Sequence, residues 1–142
     1  MNYVGGKATA VLGQRRLPVI SPLDGQLLTH VPLSNAGDLD HAVQVATAAQ
    51  RAWAKTPIKT RVQVFFKYKM LLEKHIEELS QLVHRENGKT MSEARAEVDK
   101  SIELTEFACS LPQLVQGEIM EVSAGVECRT ERFPIGVVAS IV

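Results

Sequence analysis

The chain has 142 residues with 16 basic and 16 acidic side chains, and 45% of its residues are hydrophobic but only 5% aromatic. The length suffices for one ordinary domain that buries roughly two thirds of its unfolded surface. A formal charge of zero, with no basic stripe, no acidic block and few aromatics, argues against nucleic-acid binding.

Residues 3 to 32 read as extended segments separated by turns. Leu17-Pro-Val-Ile20 and Gln26-Leu-Leu-Thr-His-Val31 flank Ser21-Pro-Leu-Asp-Gly25, in which Asp24-Gly25 is a strong hairpin signal. Gly5-Gly6-Lys7 ends in lysine but has neither the preceding strand nor the spacing of a phosphate loop. Asn35 is placed to cap a helix and Asp38 falls in its first turn. Leu39, Ala42, Val43, Ala46, Ala49 and Trp53 then share one helical face. Half of that stripe is alanine, so another helix can approach it closely.

Thr56-Pro57 restarts the chain with proline at a first helical position. Ile58, Val62, Phe65, Tyr68, Leu72, Ile76, Leu79 and Val83 follow at three- and four-residue steps, the clearest amphipathic signal in the sequence. Arg61, Lys67, Glu73, Lys74, Glu77 and Glu78 read as its solvated outer face. Gly88 is the expected left-handed cap. Thr90-Met-Ser-Glu93 is a capping box that opens a third helix, with Met91, Ala94, Val98, Ile102 and Cys109 inward and Pro112 closing it.

After Gly117 the hydrophobic period changes. Glu118 to Val122, a turn at Ser123-Ala-Gly125, and Val126 to Phe133 predict a second hairpin. Glu127, Arg129 and Glu131 share one of its faces, a pattern suited to an exposed edge or a polar subunit interface. Arg132-Phe-Pro-Ile-Gly-Val-Val-Ala-Ser-Ile-Val142 is an apolar, β-branched run that reads as a buried strand. Nothing in the sequence supplies that strand with neighbours, so it is expected to open a domain that the 142 residues do not contain.

The chemistry-bearing residues are sparse. Cys109 lies near a helix C-terminus, where the dipole disfavours a thiolate. Cys128 lies mid-strand, with Arg129 on the opposite face. Both read as small buried or half-buried hydrophobes. They form no metal-ligand spacing and no disulfide framework. His30, His41, His75 and His84 are scattered, and His75 and His84 stand too far apart on one helix to share a metal. Glu86-Asn-Gly-Lys89 could supply an acid and a cation, but its residues suit a helix end. No complete catalytic constellation is visible. The longest apolar run is far below the ~20 residues of a membrane span, and the N-terminus has neither a signal core nor a transit-peptide composition. A cytoplasmic protein is expected, with no membrane partner.

Several phrases nonetheless form an ordered set. They are Ser21-Pro-Leu-Asp-Gly25, Asp38-Leu-Asp-His-Ala-Val43, Ala46-Thr-Ala-Ala-Gln-Arg-Ala-Trp53 and Arg61 through Leu72. Glu86-Asn-Gly-Lys89, Glu93-Ala94 with Glu97-Val98, and Arg132-Phe-Pro-Ile-Gly-Val-Val138 follow. Together they resemble the N-terminal part of the aldehyde dehydrogenase superfamily across nearly the whole chain. Thr105 through Glu118 is most similar to the CoA-acylating methylmalonate-semialdehyde dehydrogenase branch, which oxidises malonate or methylmalonate semialdehyde with NAD.

The resemblance implies an α/β fold comprising the first part of the aldehyde dehydrogenase architecture. Its expected regions are a hairpin over 1–33, helices over 35–112, an oligomerisation-type hairpin over 118–133, and the start of an NAD-binding sheet over 134–142. In this family a cysteine thiolate attacks the aldehyde, hydride passes to NAD, and water or CoA takes the thioester. The nucleophile, the catalytic glutamate and the oxyanion asparagine of the P-[FW]-N-[FY]-P motif all lie beyond position 142, and neither Cys109 nor Cys128 matches the nucleophile. The resemblance carries over two nicotinamide-dinucleotide contacts, Ile141 and Val142, although Val142 departs from the Thr or Ala of many relatives. The expectation is thus a dehydrogenase fragment without catalysis of its own, whose partners are further copies or the missing C-terminal part. The alternatives are a helical interaction module that lends its C-terminal strand to a partner's sheet, or one half of a split enzyme.

Overall fold

A computed structural model describes residues 1–11 and 15–141. The first strands, β1 (Asn2–Val4) and β2 (Lys7–Thr9), form an antiparallel hairpin with Tyr3 opposite Ala8. Gly5 and Gly6 join them at φ +60° and +80°. Two consecutive left-handed residues are what a two-residue hairpin turn requires, so this pair of glycines is spent on the turn. β3 (Arg16–Ile20) and β4 (Leu27–Pro32) make a second antiparallel hairpin, with Leu17 opposite Val31. The turn between them is closed by Ser21 N–H donating to the Gln26 carbonyl at 2.8 Å and Gly25 N–H donating to that of Ser21 at 2.9 Å. The Gln26 backbone N–H, and then the Ser21 hydroxyl, hold the Asp24 carboxyl below its ordinary value.

α1 (Ala36–Trp53) begins with the expected reciprocal cap. The Asn35 side chain accepts from Asp38 N–H at 3.0 Å, and the Asp38 carboxylate accepts from Asn35 N–H at 2.9 Å. The alanine-rich stripe of α1 is met by strands. The β1–β2 hairpin lies beside it, where Tyr3, Val4 and Gly5 share a shallow depression with Ala42, Val45 and Ala49. Leu39, Val43 and Trp53 stay exposed. Gly5 stands against Val45, where a Cβ would be in ordinary contact at 3.4 Å from Cγ1, so it is the positive φ of the turn that calls for glycine there.

The long amphipathic run is delivered as three segments, α2 (Ile58–Arg61), α3 (Gln63–Lys74) and α4 (Ile76–Asn87), separated by the single residues Val62 and His75. His75 leaves helical geometry at φ −108°, ψ 17°, yet its N–H still donates to the Leu71 carbonyl at 3.0 Å. The break lets α3 and α4 each pack on α5 (Met91–Cys109). Gly88 caps α4 at φ +73° and sits against Pro22, whose Cγ would be 3.0 Å from any Cβ at that position. The helix end is thereby docked on the turn of the second hairpin.

α5 opens with the predicted capping box: Thr90 Oγ1 accepts from Glu93 N–H, and Glu93 accepts from Thr90 N–H at 2.9 Å. The Thr90 hydroxyl and then its backbone N–H hold the Glu93 carboxyl below the ordinary value of 4.5. A carboxylate stabilised in the fold contributes above its unfolded pKa, and that contribution is lost as pH falls through the lowered one.

The core consists of Val62, Leu72, Ala94 and Val98. Ser80 and Thr105 are buried beside them, and each donates its hydroxyl to the carbonyl four residues earlier, Ile76 and Ser101, at 2.7 Å. This back-bonding satisfies the hydroxyls and keeps both side chains short of the facing helix. Ala94 and Ser80 are wholly inaccessible, so the α4–α5 approach depends on small residues. Ion pairs Lys69–Glu106 and Arg95–Glu77 cross the same seams, but both are exposed and contribute little. After α5, Pro112 starts a four-residue turn of helix, α6 (Leu111–Leu114), instead of merely ending the preceding one.

β5 (Glu118–Ser123) and β6 (Val126–Thr130) form the third antiparallel hairpin, Met120 opposite Cys128, with every residue exposed. Its base is fixed by Gly117, where a Cβ would come within 2.1 Å of the Thr130 carbonyl oxygen. Residues 131–141 carry no regular secondary structure, unlike the buried strand read from the sequence. Ile135 and Ile141 are 90% and 99% exposed. A strand is defined by its ladder, and each hairpin is a complete two-stranded sheet that leaves this segment without a partner. No helix among the described residues is long and apolar enough to cross a membrane.

Replacing Ala94 with leucine should lower unfolding stability by about 1–3 kcal/mol through overpacking of the α4–α5 seam. The same change at exposed Ala96 should leave the urea midpoint nearly unchanged.

Candidate functional site

Cys109 ends α5, half-buried, with Sγ donating to the Thr105 carbonyl at 3.4 Å. The helix dipole there opposes a thiolate. Cys128 corrects the expectation of a buried or half-buried thiol: it is exposed on β6, because neither face of that hairpin is covered. The two cysteines are free, on separate elements, and neither has a histidine or cation among its hydrogen-bond partners.

The Glu86–Lys89 phrase is used to build a helix end. His84 Nδ1–H donates to the Lys89 carbonyl at 2.5 Å, and the Lys89 ammonium pairs with Glu97 on α5. Its cation therefore ties α4 to α5. His75 Nδ1 lies 3.0 Å from Glu78 within α4. No group of three or more His, Cys, Asp or Glu among the described residues could hold a metal.

Of the two proposed dinucleotide contacts, Ile141 stands fully in solvent, 99% exposed. Val142 lies outside the described residues. A nucleotide needs a concave, largely pre-formed site, and one exposed isoleucine does not make one. The residues present do not fit the whole cofactor.

A cleft with a cationic lining lies elsewhere, between α2, α6 and residues 132–134. It has a volume of about 580 Å³ and is lined by Lys55, Arg61 and Arg132 together with apolar side chains such as Ile58, Leu111 and Phe133. No carboxylate lines it. Arg132 Nε–H reaches the Gln116 carbonyl at 3.4 Å. Arg61, read from the sequence as part of a solvated face, is instead half-buried at the end of α2, and its Nε is buried without a hydrogen-bond partner. Periodicity missed it because the residues that share its cleft, Leu111, Val115 and Arg132 to Pro134, come from far along the chain.

The sequence matches the aldehyde dehydrogenase family over residues 10–142. It is 43% identical over 141 residues to the malonate-semialdehyde dehydrogenase of Halalkalibacterium halodurans, covering 99% of this chain and 29% of that protein. It is 41% identical to malonate-semialdehyde dehydrogenase 1 of Geobacillus thermodenitrificans, with the same coverage. Among solved structures, the methylmalonate-semialdehyde dehydrogenase DddC from Oceanimonas doudoroffii superposes with a TM-score of 0.88 at 30% identity, covering 94% of this chain and 27% of that one. An NAD-dependent benzaldehyde dehydrogenase from Corynebacterium glutamicum superposes with a TM-score of 0.79 at 29% identity, covering 85% and 26%. The chain belongs to the aldehyde dehydrogenase family, and it spans about 29% of the length of the curated relatives it matches.

Cys128 should react with a disulfide-exchange reagent in native buffer at least tenfold faster than Cys109, as followed by mass spectrometry of the two peptides. Comparable rates would show that β6 is covered or that the end of α5 opens.

Proposed function

We propose that this chain is the N-terminal portion of an NAD-dependent semialdehyde dehydrogenase of the malonate or methylmalonate type, and that alone it carries no dehydrogenase activity. The observation that carries this reading is the match along 99% of the chain to malonate-semialdehyde dehydrogenases of which it spans only 29%. The oxidation of a semialdehyde to an acyl product would belong to the longer polypeptide, which supplies the nucleophile and the bulk of the cofactor site. Either water or CoA could take the acyl group in that enzyme.

Surface area supports the same reading. A compact monomer of 15.6 kDa exposes about 7,200 Å² by the usual mass scaling. This chain exposes 11355 Å², including Phe133, Ile135, Val138 and Ile141 in one segment. Apolar surface on that scale is ordinarily covered by another domain or subunit. Under this proposal α3, α4 and α5 flank a dinucleotide-binding sheet, residues 134–141 with Val142 open that sheet, and Ile141 and Val142 touch the dinucleotide once it is assembled. The β5–β6 hairpin would serve as an oligomerisation arm, with its exposed Glu127–Arg129 pair at 3.0 Å suited to a polar subunit contact.

A second reading, a split-enzyme half or a strand-lending module, is favoured by the unpaired state of residues 131–141. It predicts assembly with a second polypeptide and makes the same prediction for the chain alone.

With malonate semialdehyde, NAD and CoA supplied together, the 142-residue chain should form no NADH above the enzyme-free background, and NAD should not bind in calorimetry at millimolar concentration. Sustained NADH formation by the purified chain would overturn the proposal.

A further inference from the structure

From the cleft between α2 and α6 we infer that Arg61 is a docking cation for a carboxylate on the remaining part of the longer polypeptide. The inference rests on the reading that this chain is one portion of such a protein.

A buried guanidinium N–H with no acceptor is expensive: leaving a buried donor unmade costs more than a typical hydrogen bond returns. Native structures leave few such groups, and those that persist point to a missing partner. Among the described residues Arg61 Nε is the one buried side-chain nitrogen or oxygen in this condition. Its surroundings specify the partner's sign. Lys55 and Arg132 line the same cleft, no acid does, and neither Lys55 nor Arg61 forms an ion pair among the described residues. A carboxylate answers the charge of the cleft, since the part of the half-buried guanidinium that faces it presents directed N–H groups that a carboxylate accepts in pairs; Nε itself is closed to solvent and would be reached only as the side chain turns toward the incoming acid. Ile58, Leu111 and Phe133 supply apolar walls, so the occupant is a chain segment with an acidic side chain among apolar neighbours. A small free anion would leave those walls wet. The floor of the cleft is residues 132–134, the start of the segment that has no ladder partner within this chain, so the two unmet needs are contiguous.

The test uses this chain with the separately produced remainder of the Halalkalibacterium halodurans malonate-semialdehyde dehydrogenase, the part beyond the matched portion, titrated by calorimetry. The wild-type chain should bind. Arg61→Met should weaken binding at least tenfold and flatten its salt dependence, while Lys67→Met, on the exposed face of α3, should stay within twofold. The same Arg61→Met change should leave the thermal midpoint of the chain alone unchanged or raise it, because a buried donor without a partner is removed. Unaltered affinity of Arg61→Met would overturn the inference, as would a lowered midpoint of the isolated variant, which would give Arg61 a partner within the chain. An unchanged salt dependence would replace the carboxylate by a neutral acceptor and so also overturn it. Absence of binding by the wild-type chain would instead count against the proposed function and would remove the inference with it.

Discussion

The close approach of α5 to α3 and α4 is the constraint on which the rest of the structure hangs. It depends on side chains that take up almost no room, Ala94 and Ser80 at zero exposure, and on hydroxyls at Ser80 and Thr105 that turn back to their own helices. Because α5 is held this way, α6 can follow it and the β5–β6 hairpin can start from a fixed point. Gly88, pressed against Pro22, ties the second hairpin to the end of α4. Each peripheral element is therefore positioned from one helical seam.

That seam is small for a chain of this length. Among the described residues four apolar side chains are buried, whereas most of α1, both faces of the β5–β6 hairpin and residues 131–141 remain open. Hydrophobic burial is the main favourable term in folding, so the open faces mark where this chain's stabilising contacts are unmade. The chain belongs to the aldehyde dehydrogenase family and spans about 29% of its curated relatives, and under the proposed function the open faces are those that the longer polypeptide would cover.

Local signals were fully legible in the sequence. The caps Asn35/Asp38 and Thr90/Glu93, the left-handed Gly88 and the Asp24-Gly25 turn are settled by hydrogen bonds within a few residues, so neighbours in the chain are enough to specify them. Four features were not legible, and each depends on something distant. The break at His75 serves two contacts with α5. The exposure of Cys128 depends on what covers β6. The strand character of residues 134–142 depends on a ladder that no other described element provides. The family phrases were readable as an ordered set, but the burial of Arg61 was hidden because Leu111, Val115 and residues 132–134, which share its cleft, are distant in the chain.

The central claim is that the open surface of this chain is completed by further polypeptide. Amide hydrogen exchange over residues 131–141 tests it most directly. In the isolated chain these amides should exchange at the rate of unstructured peptide, and the added C-terminal remainder of a malonate-semialdehyde dehydrogenase should slow them by at least a hundredfold. Strong protection in the isolated chain, or no protection when the remainder is present, would contradict the account.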